Sequence, residues 1–238
     1  MKQNFLINHQ HSSNSYNDRP PDAEIEFLIL HYTEQDFITS LRLLQDKVSA
    51  HYLISESGEI FQLVDECKRA WHAGISYWNG KSNLNDISIG IEIVNLNGNN
   101  NPYPFKQIDA IMFLCNQIIV RHNIPPQYIL GHSDIAPLRK TDPGSLFPWN
   151  RLYQNGIGSM ADVNDIVELE KTINLPTALE LQQYLARYGY GIDLTGIFDE
   201  QTMAVFNAFR RHFCPNLIDC KIDKTSYATL LALIRKYA

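Results

Sequence analysis

The sequence has no apolar run long enough to span a bilayer, which takes about 20 consecutive apolar residues. The first 21 residues carry one lysine and a short apolar patch at 5–7, which is not the pattern of a secretory signal peptide. We therefore expect a cytoplasmic protein if the chain is native as given. If a leader has been removed, we expect a periplasmic or envelope protein.

Cysteine is scarce, and basic residues are not clustered. The four cysteines among 238 residues include no C-x-x-C pair, which argues against a thiolate zinc site and against a thioredoxin-like motif. The net charge is −6 and no basic block is present, so we expect no nucleic-acid partner. The chain is 45% hydrophobic and 19% charged, which is ordinary for a globular protein with a full core.

The hydrophobic pattern changes character along the chain and predicts an α/β domain followed by three helices. We expect an N-terminal arm over 1–24, a catalytic domain over 25–172 and a three-helix domain over 177–238, with a linker near 173–176. In the first domain, residues 27–30 and 87–93 read as strands, and 105–122 read as the clearest helix. Further predicted elements are a helix capped by Thr33, a strand pair over 51–54 and 59–64, a short strand over 128–130, and tail helices over 177–188, 199–213 and 224–237.

Polar residues occupy the ends of the predicted strands. His31 ends the first buried strand, Glu92 lies within the alternating strand, and His132 follows the short strand. Side chains that leave neighbouring strands at one edge of a sheet converge in space. Asp142 and Lys140 lie in the following loop and can fold back toward His132.

Two imidazoles and one carboxylate form a ligand set suited to catalytic zinc, which takes three protein ligands and keeps a fourth position open. On the residues alone, His31, His132 and Asp142 are the candidate ligands of one Zn²⁺ ion. Each residue also has an alternative interpretation: a hydrogen-bonded structural histidine, a turn-forming Asp142 before proline, or a Glu92 paired with a nearby lysine. No H-E-x-x-H helix is present, which excludes the common metalloprotease motif.

Five stretches in this order resemble the zinc-dependent N-acetylmuramoyl-L-alanine amidases of the type 2 amidase family, whose fold is shared by T7-type lysozymes and peptidoglycan recognition proteins. They are LILHYT (28–33), SAHYLI (49–54), AWHAGIS (70–76), SIGIEIVN (88–95) and GHSDIAPLRKTDPGSLFPW (131–149). The resemblance implies a central mixed β-sheet flanked by helices. The tail stretches LQQYLARYGY, LTGIFDEQT and AVFNAFRRHF resemble a peptidoglycan-binding three-helix domain. A tail that only packs on the catalytic unit is the alternative.

The resemblance also implies roles for individual residues. His31, His132 and Asp142 would bind zinc, Glu92 would act as general acid and base, and Lys140 would stabilise the oxyanion. The substrate would be peptidoglycan or a muropeptide, cleaved between N-acetylmuramic acid and L-alanine, with no obligate protein partner implied. The candidate substrate-binding residues are His72, Trp71, Asn83 and Arg139.

Three alternatives accompany these assignments. His72 could be structural, and His51, which begins a strand outside the motif set, is expected to be structural. The protein could bind peptidoglycan without cutting it, as some relatives on this fold do. It could also be a general zinc peptidase, which would hydrolyse peptides that carry no muramic acid.

Overall fold

The computed structural model describes residues 5–238, apart from the side chain of Asn99. Within this range the strands are β1 (Ile7–Asn8), β2 (Tyr16–Asp18), β3 (Phe27–Thr33), β4 (Tyr52–Ile54), β5 (Ile60–Gln62), β6 (Lys68–Ala70), β7 (Tyr77–Trp78), β8 (Lys81–Ser82), β9 (Ser88–Val94) and β10 (Ile129–Gly131). The helices are α1 (Phe37–Asp46), α2 (Phe105–His122), α3 (His132–Ile135), α4 (Trp149–Tyr153), α5 (Val163–Thr172), α6 (Ala178–Tyr188), α7 (Glu200–Phe213) and α8 (Lys224–Tyr237).

Six strands form the central sheet in the order β1-β5-β4-β9-β3-β10. The β4–β5 pair is antiparallel, whereas β3 pairs in parallel with β9 and with β10, and β4 with β9. The sheet is therefore mixed and lies among helices, which confirms the predicted fold class. Short antiparallel pairs, β2–β6 and β7–β8, lie outside it.

Successive side chains of a strand point to opposite sides of the sheet. Both sides of this sheet are buried, because a separate apolar cluster covers each one. On one face, Leu28 and Leu30 of β3 share a buried apolar cluster with the isoleucines of β9 and with α2. On the other face, Phe27 and Ile29 share a cluster with the tail helices α6, α7 and α8. The molecule thus has three layers, with α2 on one side of the sheet and the tail on the other.

Helix starts in the tail follow from capping chemistry. Thr177 and Glu180 form a reciprocal capping box at α6, while Asp199 and Asp223 accept backbone N–H groups at the starts of α7 and α8. These caps explain why the three predicted tail helices match the observed ones to within one residue.

Four local predictions were wrong or incomplete. The first 24 residues are not an irregular arm throughout, because β1 pairs with β5 and β2 with β6. The side chain of Asp36 caps α1, so Thr33 does not; Thr33 is the last residue of β3. The segment over 132–153 contains α3 and α4, for which no helix was predicted, and α5 was not predicted either.

The predicted domain boundary near 173–176 falls between α5 and α6. The apolar cluster beneath the tail crosses this boundary, since it joins Phe27 and Ile29 of the sheet to Leu181 and Phe206 of the tail. The division into domains therefore stays a prediction, and the tail is packed against the central sheet. None of the helices within residues 5–238 is both long and apolar enough to cross a membrane.

Candidate active site

Two neighbouring strands present the polar groups of the site on one face of the sheet. His31 on β3 is the direct register partner of Glu92 on β9. With a side-chain period of two, Ser88 and Gly90 lie on the same face of β9 as Glu92, while the intervening isoleucines face α2. The alternating sequence of β9 thus places its isoleucines on one side of the sheet and the residues of the site on the other.

The third strand delivers a second histidine at the same edge of the sheet. β10 ends at Gly131, and His132 is the first residue of α3. The Ser133 N–H donates to the Asp142 carbonyl at 2.9 Å, which holds the Asp142 segment beside His132. A Cβ on Gly131 would lie 2.7 Å from Pro143, so this close approach requires glycine.

His31, His132 and Asp142 converge at this corner, and all three are buried. The His31 and His132 Nδ1 atoms are 2.9 Å apart, and they lie 3.2 and 3.1 Å from Asp142 Oδ2. A tetrahedral zinc ion with ligands at about 2.0–2.1 Å separates neighbouring ligand atoms by about 3.3 Å. The three atoms therefore form a triangle of the size that a small divalent cation requires.

The hydrogen bonding of His132 supports a cation at this position. Its Nε2 lies 3.1 Å from the Ala73 carbonyl, which can only accept a hydrogen bond. The nearby Arg139 Nη2, 3.4 Å from the same nitrogen, directs its two hydrogens to the Ala73 and Ile75 carbonyls, so His132 Nε2 is the donor to Ala73. Its Nδ1 then faces Asp142 Oδ2 at 3.1 Å and is the ring nitrogen available to a metal ion. Burial, followed by the nearby His132, lowers the pKa of His31 to about 4, so the His31 ring is neutral near pH 7. Two converging imidazole nitrogens and one carboxylate oxygen fit a metal cation.

Glu92 lies beside this corner with an unsatisfied acceptor. Its Oε2 atom is buried and has no hydrogen-bond partner among the described residues. Burial, reinforced by the Asp142 charge and opposed by Lys140, raises the pKa of Glu92 well above 4.5. A carboxyl group with a raised pKa suits proton transfer near neutral pH. Lys140 is close enough for its charge to act on both Glu92 and His31.

His72 lies behind His31 rather than in an open groove. Its Nδ1 is 3.0 Å from His31 Nε2, and its Nε2 is 3.2 Å from Ser88 Oγ. The residue is buried and both ring nitrogens are occupied, so the ring has no free polar atom for a substrate. The geometry favours a role for His72 in contact with His31 over the substrate contact expected from the sequence.

The other three predicted substrate-binding residues have different positions. Arg139 donates to the Ala73 and Ile75 carbonyls and so fastens the loop that follows His72. Trp71 is 40% exposed, and its indole N–H donates to Asn17. Asn83 is exposed with a left-handed backbone, φ = 54°, at the start of a 3₁₀ turn. Their roles in substrate binding remain predictions.

His51 is structural, as expected. It is fully buried, its Nδ1 accepts the Gly90 N–H at 3.0 Å, and its Nε2 lies 3.1 Å from the Lys68 carbonyl. Sequence reasoning missed Ser88 and Gly90 as site residues. The strict alternation of β9 places both on the face of Glu92 and could have indicated them.

Comparison with known proteins agrees with this geometry. Residues 21–145 match the family described as N-acetylmuramoyl-L-alanine amidase, and residues 176–230 match a putative peptidoglycan binding domain. The chain is 40% identical over 233 residues to N-acetylmuramoyl-L-alanine amidase AmiD of Escherichia coli K12, covering 90% of this chain and 83% of AmiD. The chain therefore belongs to the N-acetylmuramoyl-L-alanine amidase family.

Two solved structures resemble the whole molecule. One is E. coli AmiD in complex with anhydro-N-acetylmuramic acid-L-Ala-D-gamma-Glu-L-Lys, with a TM-score of 0.83 and 38% identity over 92% of this chain and 93% of AmiD. The other is AMPDH3 of Pseudomonas aeruginosa in complex with anhydromuramic pentapeptide, with a TM-score of 0.85 and 38% identity over 94% and 97% of the two chains. Both likenesses extend into the tail helices.

Proposed function

We propose that this protein is a zinc-dependent amidase that hydrolyses the bond between N-acetylmuramic acid and L-alanine in peptidoglycan or muropeptides. The observation that carries the proposal is the convergence of His31, His132 and Asp142 beside the buried, unpartnered oxygen of Glu92. The names of AmiD and AMPDH3, and the muropeptides in their structures, support this bond as the target.

The proposed metal ligands are His31, His132 and Asp142. A zinc ion at this site would supply a Lewis acid that polarises the scissile carbonyl and lowers the pKa of a water molecule. Two neutral imidazoles and one carboxylate leave a net positive charge on such a site, which suits attack on a carbonyl.

The remaining chemistry belongs to Glu92 and Lys140. Glu92 accepts the proton of the attacking water and later donates it to the leaving nitrogen of L-alanine. The new C–O bond replaces the broken C–N bond, giving a lactyl carboxylate and a free peptide amine. The Lys140 ammonium stabilises the negative charge that develops on the carbonyl oxygen.

The proposal is tested by mass spectrometry of products from a soluble anhydro-muropeptide and from intact sacculi. Free stem peptide is expected from the metal-loaded protein, with loss after chelation and recovery with Zn²⁺. Glu92→Gln should lower turnover about 10²–10⁴-fold. Glu56→Gln, which alters an exposed turn, is the matched control.

Two alternatives are decided by the same assay. Binding of muropeptide with no product would indicate a non-catalytic peptidoglycan-binding protein and would refute the amidase proposal. Hydrolysis of peptides without muramic acid at the same rate would indicate a general zinc peptidase. The joint presence of Asp142, Glu92 and Lys140 at the site supports hydrolysis over binding alone.

A further inference from the structure

A histidine can bind a cation only through a nitrogen that carries no proton. His31 and His132 both face the proposed metal position with Nδ1, so both need the tautomer protonated on Nε2. The Ala73 carbonyl fixes this tautomer in His132 directly. The Nε2 atom of His31 instead contacts the ring of His72.

The tautomer of His31 is set by a chain of hydrogen bonds that begins at a backbone carbonyl. Ser88 Oγ lies 2.5 Å from the Leu84 carbonyl, and since a carbonyl can only accept, the single hydroxyl proton of Ser88 points there. The lone pairs of Ser88 Oγ are then left for His72 Nε2, 3.2 Å away. His72 Nε2 must therefore be the donor in that contact.

The direction of the chain continues through His72 to the site. With its proton on Nε2, the His72 ring presents Nδ1 as an acceptor, and no carboxylate among the described residues is hydrogen-bonded to this ring. His31 Nε2, at 3.0 Å, then donates to that acceptor. The one remaining lone pair of His31 is on Nδ1 and points at His132 and Asp142.

We propose that His72 and Ala73 form one positioning segment that holds both histidine ligands in their metal-binding tautomers before the metal arrives. His72 acts on His31 through its ring, and Ala73 acts on His132 through its carbonyl. This inference rests on the proposed zinc site and extends it to residues that do not touch the metal. Groups that hydrogen-bond to a metal-binding histidine typically contribute about 10–100-fold to metal affinity.

The segment is itself held in place from two sides. The side-chain oxygen of Asn85 accepts the backbone N–H groups of His72 and Ala73 at 3.0 and 2.7 Å. The ring of His72 lies against Gly90, where an added Cβ would be 2.4 Å from the ring. The A-W-H-A-G segment is therefore positioned by three further residues. Asn85 holds its backbone, and Ser88 and Gly90 fix the ring of His72.

The first test reads the tautomers directly in the metal-free protein. Long-range ¹H–¹⁵N NMR correlations distinguish protonated from unprotonated ring nitrogens. The signals of each histidine are assigned from variants in which that histidine alone is replaced. We expect His31, His72 and His132 each to carry the proton on Nε2. A proton on His31 Nδ1 in the metal-free parent would overturn the proposal, whatever the activity of the protein.

The second test measures Zn²⁺ affinity by competition with a chromophoric chelator. His72→Phe removes the acceptor and should weaken binding about 10–100-fold, whereas His72→Asn keeps a carbonyl oxygen near the place of Nδ1 and should recover part of the loss. Ser88→Ala should weaken binding by less, since it removes the anchor of the chain but leaves His72 Nδ1 in place.

Ser13→Ala is the matched control for Ser88→Ala. Ser13 is buried, donates to the Leu44 carbonyl at 2.5 Å and accepts a backbone N–H, but has no contact with the proposed zinc site. Thermal melts of the metal-free variants separate folding from metal binding. Unchanged zinc affinity in both His72→Phe and Ser88→Ala would overturn the proposal. A parent that binds no zinc would instead refute the proposed function, and the tautomers would still decide the positioning role.

Discussion

Asp134, two residues after the proposed metal ligand His132, is hydrogen-bonded to His212 of the tail helix α7 through Oδ2 and Nδ1 at 2.8 Å. Both side chains are buried. The other carboxylate oxygen accepts the Tyr190 hydroxyl at 2.7 Å, and Oδ2 also accepts the Gly131 N–H. Two tail side chains thus complete the polar shell of the short helix that carries a proposed ligand, which makes the tail part of the catalytic corner.

Removal of the tail is therefore expected to damage the catalytic unit itself. A cut after Leu175 would expose Phe27 and Ile29, which are fully buried beneath the tail, and would leave Asp134 without two of its partners. We expect a lowered melting temperature and loss of activity on soluble muropeptides as well as on sacculi. The measurement is a thermal melt followed by product analysis on both substrates.

The opposite result would restore the tail as an independent wall-binding module. In that case the truncated chain would melt near the parent temperature, keep its activity on the soluble substrate and lose activity only on sacculi. The family match over 176–230 makes this a real competitor. Exposed tail residues such as Leu194 and Phe198 offer substitutions that leave the shared core intact.

Tyr190→Phe gives a finer measure of the same connection. This substitution removes a hydroxyl that donates to the carboxylate of Asp134, so we expect the free energy of unfolding to fall by about 1.5–3 kcal/mol. Tyr188→Phe is the control, since Tyr188 is also buried but bonds to the neutral Ser159 hydroxyl at 3.0 Å, and about 1 kcal/mol is expected there. If both variants lose the same free energy of unfolding in urea denaturation, the hydrogen bond to Asp134 stabilises the fold no more than the one to Ser159.

Gly90→Ala should be far more harmful than a typical glycine substitution in a strand. The added Cβ would lie 2.4 Å from the ring of His72, so the ring must move away from His31. We expect weaker zinc binding and a loss of stability of about 1–3 kcal/mol from overpacking. In a His72→Ala background the same change should cost little, and a double-mutant cycle on the unfolding free energy measures this. Additive effects would show that the ring is not the obstacle.

The sequence was sufficient for elements whose pattern is local. The alternation of 87–93 predicted the strand that is observed over Ser88–Val94, and the helical period of 105–122 predicted α2. The capped tail helices were predicted for the same reason. The apolar run at 27–30 even carries the signal of a strand buried on both faces, which the tail and α2 provide.

Features that depend on contacts between distant segments could not be predicted in this way. β1 exists as a strand because β5 offers a parallel partner, and nothing in residues 7–8 alone indicates it. α5 buries only Leu169 among its residues, so its apolar signal is weak. The positions of His72 and Ser88 relative to His31 depend on how the loop after β6 folds back on β9, which composition and periodicity do not specify.

Asp142→Asn tests the proposed ligand set with little change of shape. The amide is a poorer ligand than the carboxylate, so the gain in stability that Zn²⁺ gives the parent should largely disappear. A ligand at 1,000 times its Kd stabilises a fold by about 4 kcal/mol, a shift that thermal melts detect easily. Asp165→Asn, on the exposed surface of α5, is the control. Full stabilisation of Asp142→Asn by Zn²⁺ would remove Asp142 from the ligand set.

The pH dependence of stability should report the buried His51. Burial, with a smaller effect of the Arg19 charge, lowers the pKa of His51 from 6.5 to about 3, so the folded state holds this ring neutral. Between these two values the unfolded chain binds a proton that the folded chain does not, and stability therefore falls as the pH falls from about 6.5 toward 3. One such group changes the free energy of unfolding by about 1 kcal/mol per pH unit. His51→Asn, which retains an acceptor for the Gly90 N–H, should make the slope shallower by about that amount. Urea denaturation with chelator present, at several pH values from 4 to 7, measures both slopes without interference from metal release. Parallel slopes in the parent and the variant would show that His51 does not contribute.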